Sequence, residues 1–176
     1  MQKRNAAFLA PLAAVGVTLL VVTAGLASAA GKQAGGVVHI YEVSPSLSGS
    51  VATDILTGAI TDHGVDHEGA PVGKTTNKLV LTKGSFEVSV ARLVSQPPPP
   101  VDPKTCSFAF SVTEPTPIVK GKGTGAYAGM SGTFKVTVTE AGILPKLKSG
   151  KCNEGPTATP VAGVVSVKGS GTVSFK

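Results

Sequence analysis

The chain has 176 residues, rich in turn formers (22 Gly, 13 Pro) and without a single Trp, which excludes a Trp-lined sugar platform, although Tyr could still serve. Its 16 basic and 10 acidic residues give a formal charge of +6, but the basic side chains are scattered, the closest grouping being Lys146, Lys148 and Lys151. Neither the basic stripe nor the module of a nucleic-acid binder is present, so nucleic acid is not an expected partner.

Residues 1–29 read as a signal peptide. Lys3 and Arg4 precede an uncharged run rich in Ala, Leu and Val from Ala6 to Ala27. Ala27-Ser28-Ala29 then offers the small residues of a signal-peptidase site, with cleavage between Ala29 and Ala30. A transmembrane anchor is the rival, since about 20 apolar residues span a bilayer. Pro11 and Gly25 interrupt the run, however, and no basic stop-transfer cluster follows. With neither a twin-arginine pair nor a cleavage-site cysteine, general export without lipidation is the simpler reading. The expected location is extracellular or cell envelope, with no stable membrane insertion after cleavage. Removing 29 of 176 residues would leave 147, and two of the 16 basic residues would go, leaving 14 against 10 acids and a charge of +4. That length suits one domain with one core.

Residues 30–36 read as a flexible leader and 37–176 as one β domain. Gly36–Ser44, Ser50–Ile60 and Asn77–Thr82 are strand candidates with mixed alternation. Asp62-His63-Gly64-Val65-Asp66-His67-Glu68 gathers imidazoles and carboxylates that suit a divalent ion. No recognised ligand spacing is present, and the expectation is a solvated hairpin loop with no metal site. Phe86, Val88 and Val90 alternate with Ser85, Glu87, Ser89 and Ala91, as in a half-buried antiparallel strand. Ser95–Thr105, with prolines at 97–100, reads as a polyproline-type surface loop. Phe108, Phe110 and Val112 form a second alternating set, and Ile118–Lys122 is a weaker strand candidate.

Gly121–Thr139 joins a glycine-dense turn carrying Tyr127 to the strict alternation of Phe134, Val136 and Val138. Gly121-Lys-Gly-Thr-Gly-Ala126 matches a dinucleotide fingerprint, but the fingerprint works only where it opens a helix, and a strand follows here. No cofactor is expected. Glu140–Leu147 is the nearest approach to a helix, broken by Gly142 and Pro145. Gly163–Lys168 and Thr172–Phe175 close the chain as strands, with a bulge at Gly169-Ser170-Gly171 the alternative to a break. Cys106 and Cys152, the only cysteines, lie in the exported part and read as a disulfide.

These elements predict an all-β chain: a single closed antiparallel barrel of about eight strands. Its inner face would carry Phe86, Val88, Val90, Phe108, Phe110, Phe134, Val136 and Val138. The run GTGAYAGMSGTFKVTVT resembles the glycine-aromatic-glycine signature and following strand of the allene oxide cyclase-like and dirigent-like barrel superfamily. Thr57–Asp62 and Lys168–Phe175 are similar to segments of its secreted bacterial members. The resemblance implies an eight-stranded barrel with an apolar interior, often assembled into homo-oligomers. In plant relatives that interior serves cyclisation or coupling of hydrophobic small molecules. No catalytic acid of the family can be matched here, so activity does not carry over.

Hydrolase signatures (G-x-S-x-G, H-E-x-x-H) are absent. Glu42 and Glu87 lie in strands, where an inward carboxylate could act as a base. Glu87, between Ser85 and Ser89, is expected to point outward, and Glu42 is undecided. Three readings follow: a binding module for a small hydrophobic ligand, a cyclase or isomerase working inside the barrel, and a non-catalytic envelope interaction protein. The first is the expected one.

Overall fold

A computed structural model describes residues 34–45, 47, 51–67, 74–155 and 158–176. The expected signal peptide with its Ala29/Ala30 cleavage site, most of the expected leader, and Glu68 lie outside the described residues. Among the described residues there are eight strands: β1 Gly36–Ser44, β2 Val51–Gly58, β3 Asp62–His67, β4 Thr76–Leu81, β5 Gly84–Ser89, β6 Ser107–Pro117, β7 Met130–Ile143 and β8 Ala162–Phe175. A four-residue helix, α1 Ala91–Val94, follows β5, and a 3₁₀ turn over Gly125–Tyr127 precedes β7.

The strands form one antiparallel sheet in the order β5-β4-β3-β2-β1-β8-β7-β6. Every neighbour is adjacent in sequence except β1 and β8, which pair from Gly36↔Val173 to Ser44↔Val165. This is the connectivity of an up-and-down barrel cut at one seam, between β5 and β6. The sheet curls through 242° and stays open, so the expected closed barrel is corrected.

Two prolines explain the seam. Ile118 N–H donates across to Gly132 O at 3.0 Å. By the alternation of an antiparallel ladder, Thr116 and Glu114 also bond toward β7, and Pro115 and Pro117 turn their nitrogens to the seam. A proline there has no N–H to offer another strand, which confines it to an edge. On the other side, the segment after β6 covers the edge of β5: Val119 N–H donates to Glu87 O (2.8 Å), Thr124 N–H to Ser85 O (2.8 Å) and Ala126 N–H to Lys83 O (2.9 Å). Ile118–Lys122 is therefore an irregular edge cover, with one bridge at Val88↔Ile118, and not a strand.

Other boundaries also shift. Asp62–His67 is a strand, not a hairpin loop. Ala91 opens α1 instead of extending β5. β7 continues through Glu140 to Ile143, so no helix begins there. β8 runs unbroken, and its one-to-one register with β7 leaves no bulge at Gly169–Gly171.

The core fills one end of the curl. Val38, Ile40, Leu56, Leu79, Phe86, Val88, Phe134 and Val136 are buried on the inner face, closed off by Tyr127, Met130 and Val173. Phe134 lies opposite Gly171, where a Cβ would stand 2.2 Å from Thr133 O, so β7 and β8 can approach closely there. Val90 and Val138 pack partly buried against this core. Phe108 and Phe110 keep the inward register but are only half-buried and lie outside the core, a correction to their expected role. The reason is geometric: β5 does not pair with that half of β6 across the seam, and only α1 and the proline-rich segment after it stand over it.

Candidate ligand groove at the open end

At the end remote from Tyr127 the inner face turns polar. Register sets Glu42 of β1 opposite Asp54 of β2 and Val167 of β8. Asp54 and Ser44 are fully buried, and Glu42 is half-buried. Glu42, undecided from sequence, thus belongs to the inner face. Glu87 pairs with Lys78 on the outer face, as expected. Glu140 continues the alternation of Phe134, Val136 and Val138 inward and lies opposite Phe110. Its position was legible in that alternation, which sequence reasoning stopped one step short of following.

On the seam side of β6 and β7, beside Glu140 but away from Glu42, Ser44 and Asp54, lies a groove of about 350 Å³. Phe108, Phe110, Glu140 and Leu144 form its floor. One wall is the segment from Leu93 to Val101 with Pro97, Pro98 and Pro99, and the other is the turn containing Asn153, Glu154 and Gly155. The proline-rich loop is thus a groove wall as well as a surface loop. Gln96 Nε2 donates to Glu114 Oε1 at 3.1 Å and ties that wall to β6.

The disulfide fastens the walls together. Cys106 and Cys152 are joined, with Cα atoms 5.3 Å apart and a sequence separation of 46. Asp102 prepares Cys106: its Oδ1 accepts from Lys104 N–H (2.7 Å) and Thr105 N–H (3.1 Å), and its carbonyl accepts from Cys106 N–H (2.7 Å). The bonds from the Thr105 and Lys104 amides hold the Asp102 carboxyl below its ordinary value. Cys106 itself sits at φ +58, an uncommon conformation for a residue with a Cβ.

The second polar centre belongs to the closed end. Asp62 accepts from the Thr82 hydroxyl, from Tyr127 Oη–H at 2.6 Å, from His63 N–H at 2.8 Å and from Lys83 N–H at 3.0 Å. Burial pushes its carboxyl up, but these bonds together outweigh that and hold it far below the usual carboxylate range. The Tyr127 phenol is pushed far up by burial first, then by its bond to Asp62 and by that residue's charge. Strand alternation turns Asp62 inward and His63 outward, so the two cannot converge on one ion from β3. Among the described residues no group of three or more His, Cys, Asp or Glu side chains gathers in metal-binding geometry. Nothing in the sequence pointed to the Asp62–Tyr127 bond, which spans 65 residues.

No protein-family model matches the chain, and neither a curated protein nor a solved structure does. No helix of the described residues is long and apolar enough to cross a membrane, and the disulfide is compatible with an extracellular protein.

Proposed function

We propose that this is an exported protein that binds a small, largely apolar molecule in the groove between the proline-rich wall and the disulfide-held turn. The observation that carries the reading is the pair Phe108 and Phe110, two large inward side chains left half-exposed on the floor of a groove that Leu93, Leu144 and three prolines line together with the polar Gln96, Glu140, Asn153 and Glu154. A volume of about 350 Å³ lies at the small end of ligand pockets and suits a compound of one or two rings. The charged lining side chains, Glu140 and Glu154, are both carboxylates. They favour a neutral or cationic compound over a fatty acid. Membership of the allene oxide cyclase-like superfamily remains part of this proposal and rests on the Gly123–Thr139 signature.

A hydrophobic reporter dye tests the reading. Its fluorescence rises with the wild-type protein, and Phe110→Ser removes most of the rise while the far-UV spectrum stays unchanged. No gain with wild type, together with no small molecule co-purifying by mass spectrometry, would sink it. One observation favours a second reading, a cyclase or isomerase: Glu140 stands as a potential base on the apolar floor. Under that reading Glu140→Gln retains the co-purifying compound but no longer converts it, whereas conversion by the variant removes the reading.

A further inference from the structure

The seam has two edges, and they are finished differently. Along β5 the segment after β6 supplies the missing neighbour: Glu87 O, Ser85 O and Lys83 O each accept an N–H from it. β6 is closed only towards its ends. Pro115 and Pro117 have no N–H to give, and Ser107 O accepts from Asp102 N–H at 2.9 Å. Between those ends, the ladder phase that turns the two prolines to the seam turns the N–H and C=O of Ala109, Ser111 and Thr113 the same way. No backbone group of the described residues bonds to these amides from the seam side.

The proline-rich wall passes this open stretch without pairing to it. Gln96 holds it to Glu114 at one end and Asp102 holds it to Ser107 at the other, so it runs antiparallel to β6. Its four successive prolines lack the N–H that a ladder needs. The space left between wall and strand is the groove, with Phe108 and Phe110 alternating with the open amides. We propose that the edge Ala109–Thr113 binds an extended peptide by strand addition, with alternate side chains of the guest seated in the groove. That ligand class rests on the groove being a binding site, and adds to the small molecule a peptide recognised through its backbone.

An open strand edge is a template for another chain, and proteins guard against it. Here the guards stand on β5 and towards both ends of β6, and the stretch left open is the one beside the groove. It is about five residues long, an ordinary strand length. In strand addition the main-chain bonds supply affinity and pockets for alternate side chains supply specificity. The edge of β6 offers the first and the groove the second. Glu140 and Glu154 line the groove and, among the described residues, no Lys or Arg does, so the seated side chains are apolar or basic. A ligand without a peptide backbone leaves the row of amides unused.

Calorimetric titration of the purified protein with the capped peptide Thr-Leu-Thr-Lys-Thr-Leu-Thr reads the outcome. Wild type binds it. Ser111→Pro weakens binding about tenfold with the far-UV spectrum unchanged, because it removes the central donor of the edge and leaves the β6–β7 ladder and Phe110 in place. Should that variant fail to fold, wild type decides with two N-methylated forms of the probe, blocked at one or the other alternate set of amides. The form blocked toward β6 binds about tenfold more weakly, and the other keeps its affinity. No peptide binding while the hydrophobic dye still binds overturns the inference and leaves the small-molecule reading standing; silence from both probes overturns the two together. Peptide binding indifferent to Ser111→Pro, or altered equally by both N-methylated forms, also overturns it, since side chains alone would then carry the contact.

Discussion

Tyr127 plugs the closed end of the curl with its ring 5.2 Å from that of Phe86 and its hydroxyl on Asp62. Tyr127→Phe keeps the ring contact and withdraws one of four donors from a buried carboxylate, so it should cost about 1–3 kcal/mol in chemical denaturation. Asp62 also makes a pH prediction. Its folded-state carboxyl lies far below the ordinary 3.8, so the stabilisation is complete above that value, where both states are ionised. As pH falls below 3.8 the unfolded chain takes up a proton that the folded one refuses, and stability declines until the folded carboxyl itself protonates. Asp62→Asn should therefore flatten the acid limb of the stability curve below pH 3.8, and an unchanged limb would show that other carboxylates govern it. Gly125, in the turn that delivers Tyr127, has φ +56, and a Cβ there would stand 2.3 Å from Lys83 O. Gly125→Ala is thus strained twice, in backbone and in contact, and should destabilise by about 2 kcal/mol or more, with a matching fall in Tm.

The seam is the element that gives the molecule its character. β5 and β6 would close the ring, but Pro115 and Pro117 deny β6 its outward donors, while the segment after Ile118 satisfies β5. Prolines on an edge also guard against pairing with other chains. Pro115→Thr with Pro117→Thr should restore two seam-facing donors and increase aggregation on concentration, read by light scattering; unchanged solubility would show that α1 and the proline loop guard the edge by themselves. These prolines were visible in the sequence, at alternate positions beyond Val112, yet they were not used. The eight strands were largely legible because Phe86/Val88 and Phe134/Val136/Val138 alternate cleanly, and the disulfide followed from cysteine parity. The opening at the seam was not, because it depends on which side of β6 its ladder bonds face. The groove depends in turn on that opening: Phe108 and Phe110 have the same alternation as buried Phe134, and only the missing neighbour across the seam separates their fates.

At the scale of the whole molecule the two ends of the curl do different work. The Tyr127 end holds the packed core, while the groove end relies on a covalent tie between a turn on the seam side and the turn before β8. The chain-entropy argument assigns such a loop about 4 kcal/mol as an upper figure. The tie touches Cys106, Asp102 and the turn bearing Asn153, and it reaches none of the core residues around Phe86 and Phe134. Its loss should therefore fall unequally on the two ends. Cys106→Ser with Cys152→Ser is expected to lower Tm and reduce dye binding several-fold, because the wall carrying Asn153 and Glu154 is no longer held to the Asp102 turn. Far-UV dichroism and the near-UV signal of Tyr127 should persist below the new Tm, since the sheet and its closed end keep their own contacts. Dye binding equal to wild type in that double variant would mean that the floor of Phe108 and Phe110 suffices without the second wall. Loss of the Tyr127 signal would mean that the two ends fold as one cooperative unit, with the disulfide stabilising the core as much as the groove.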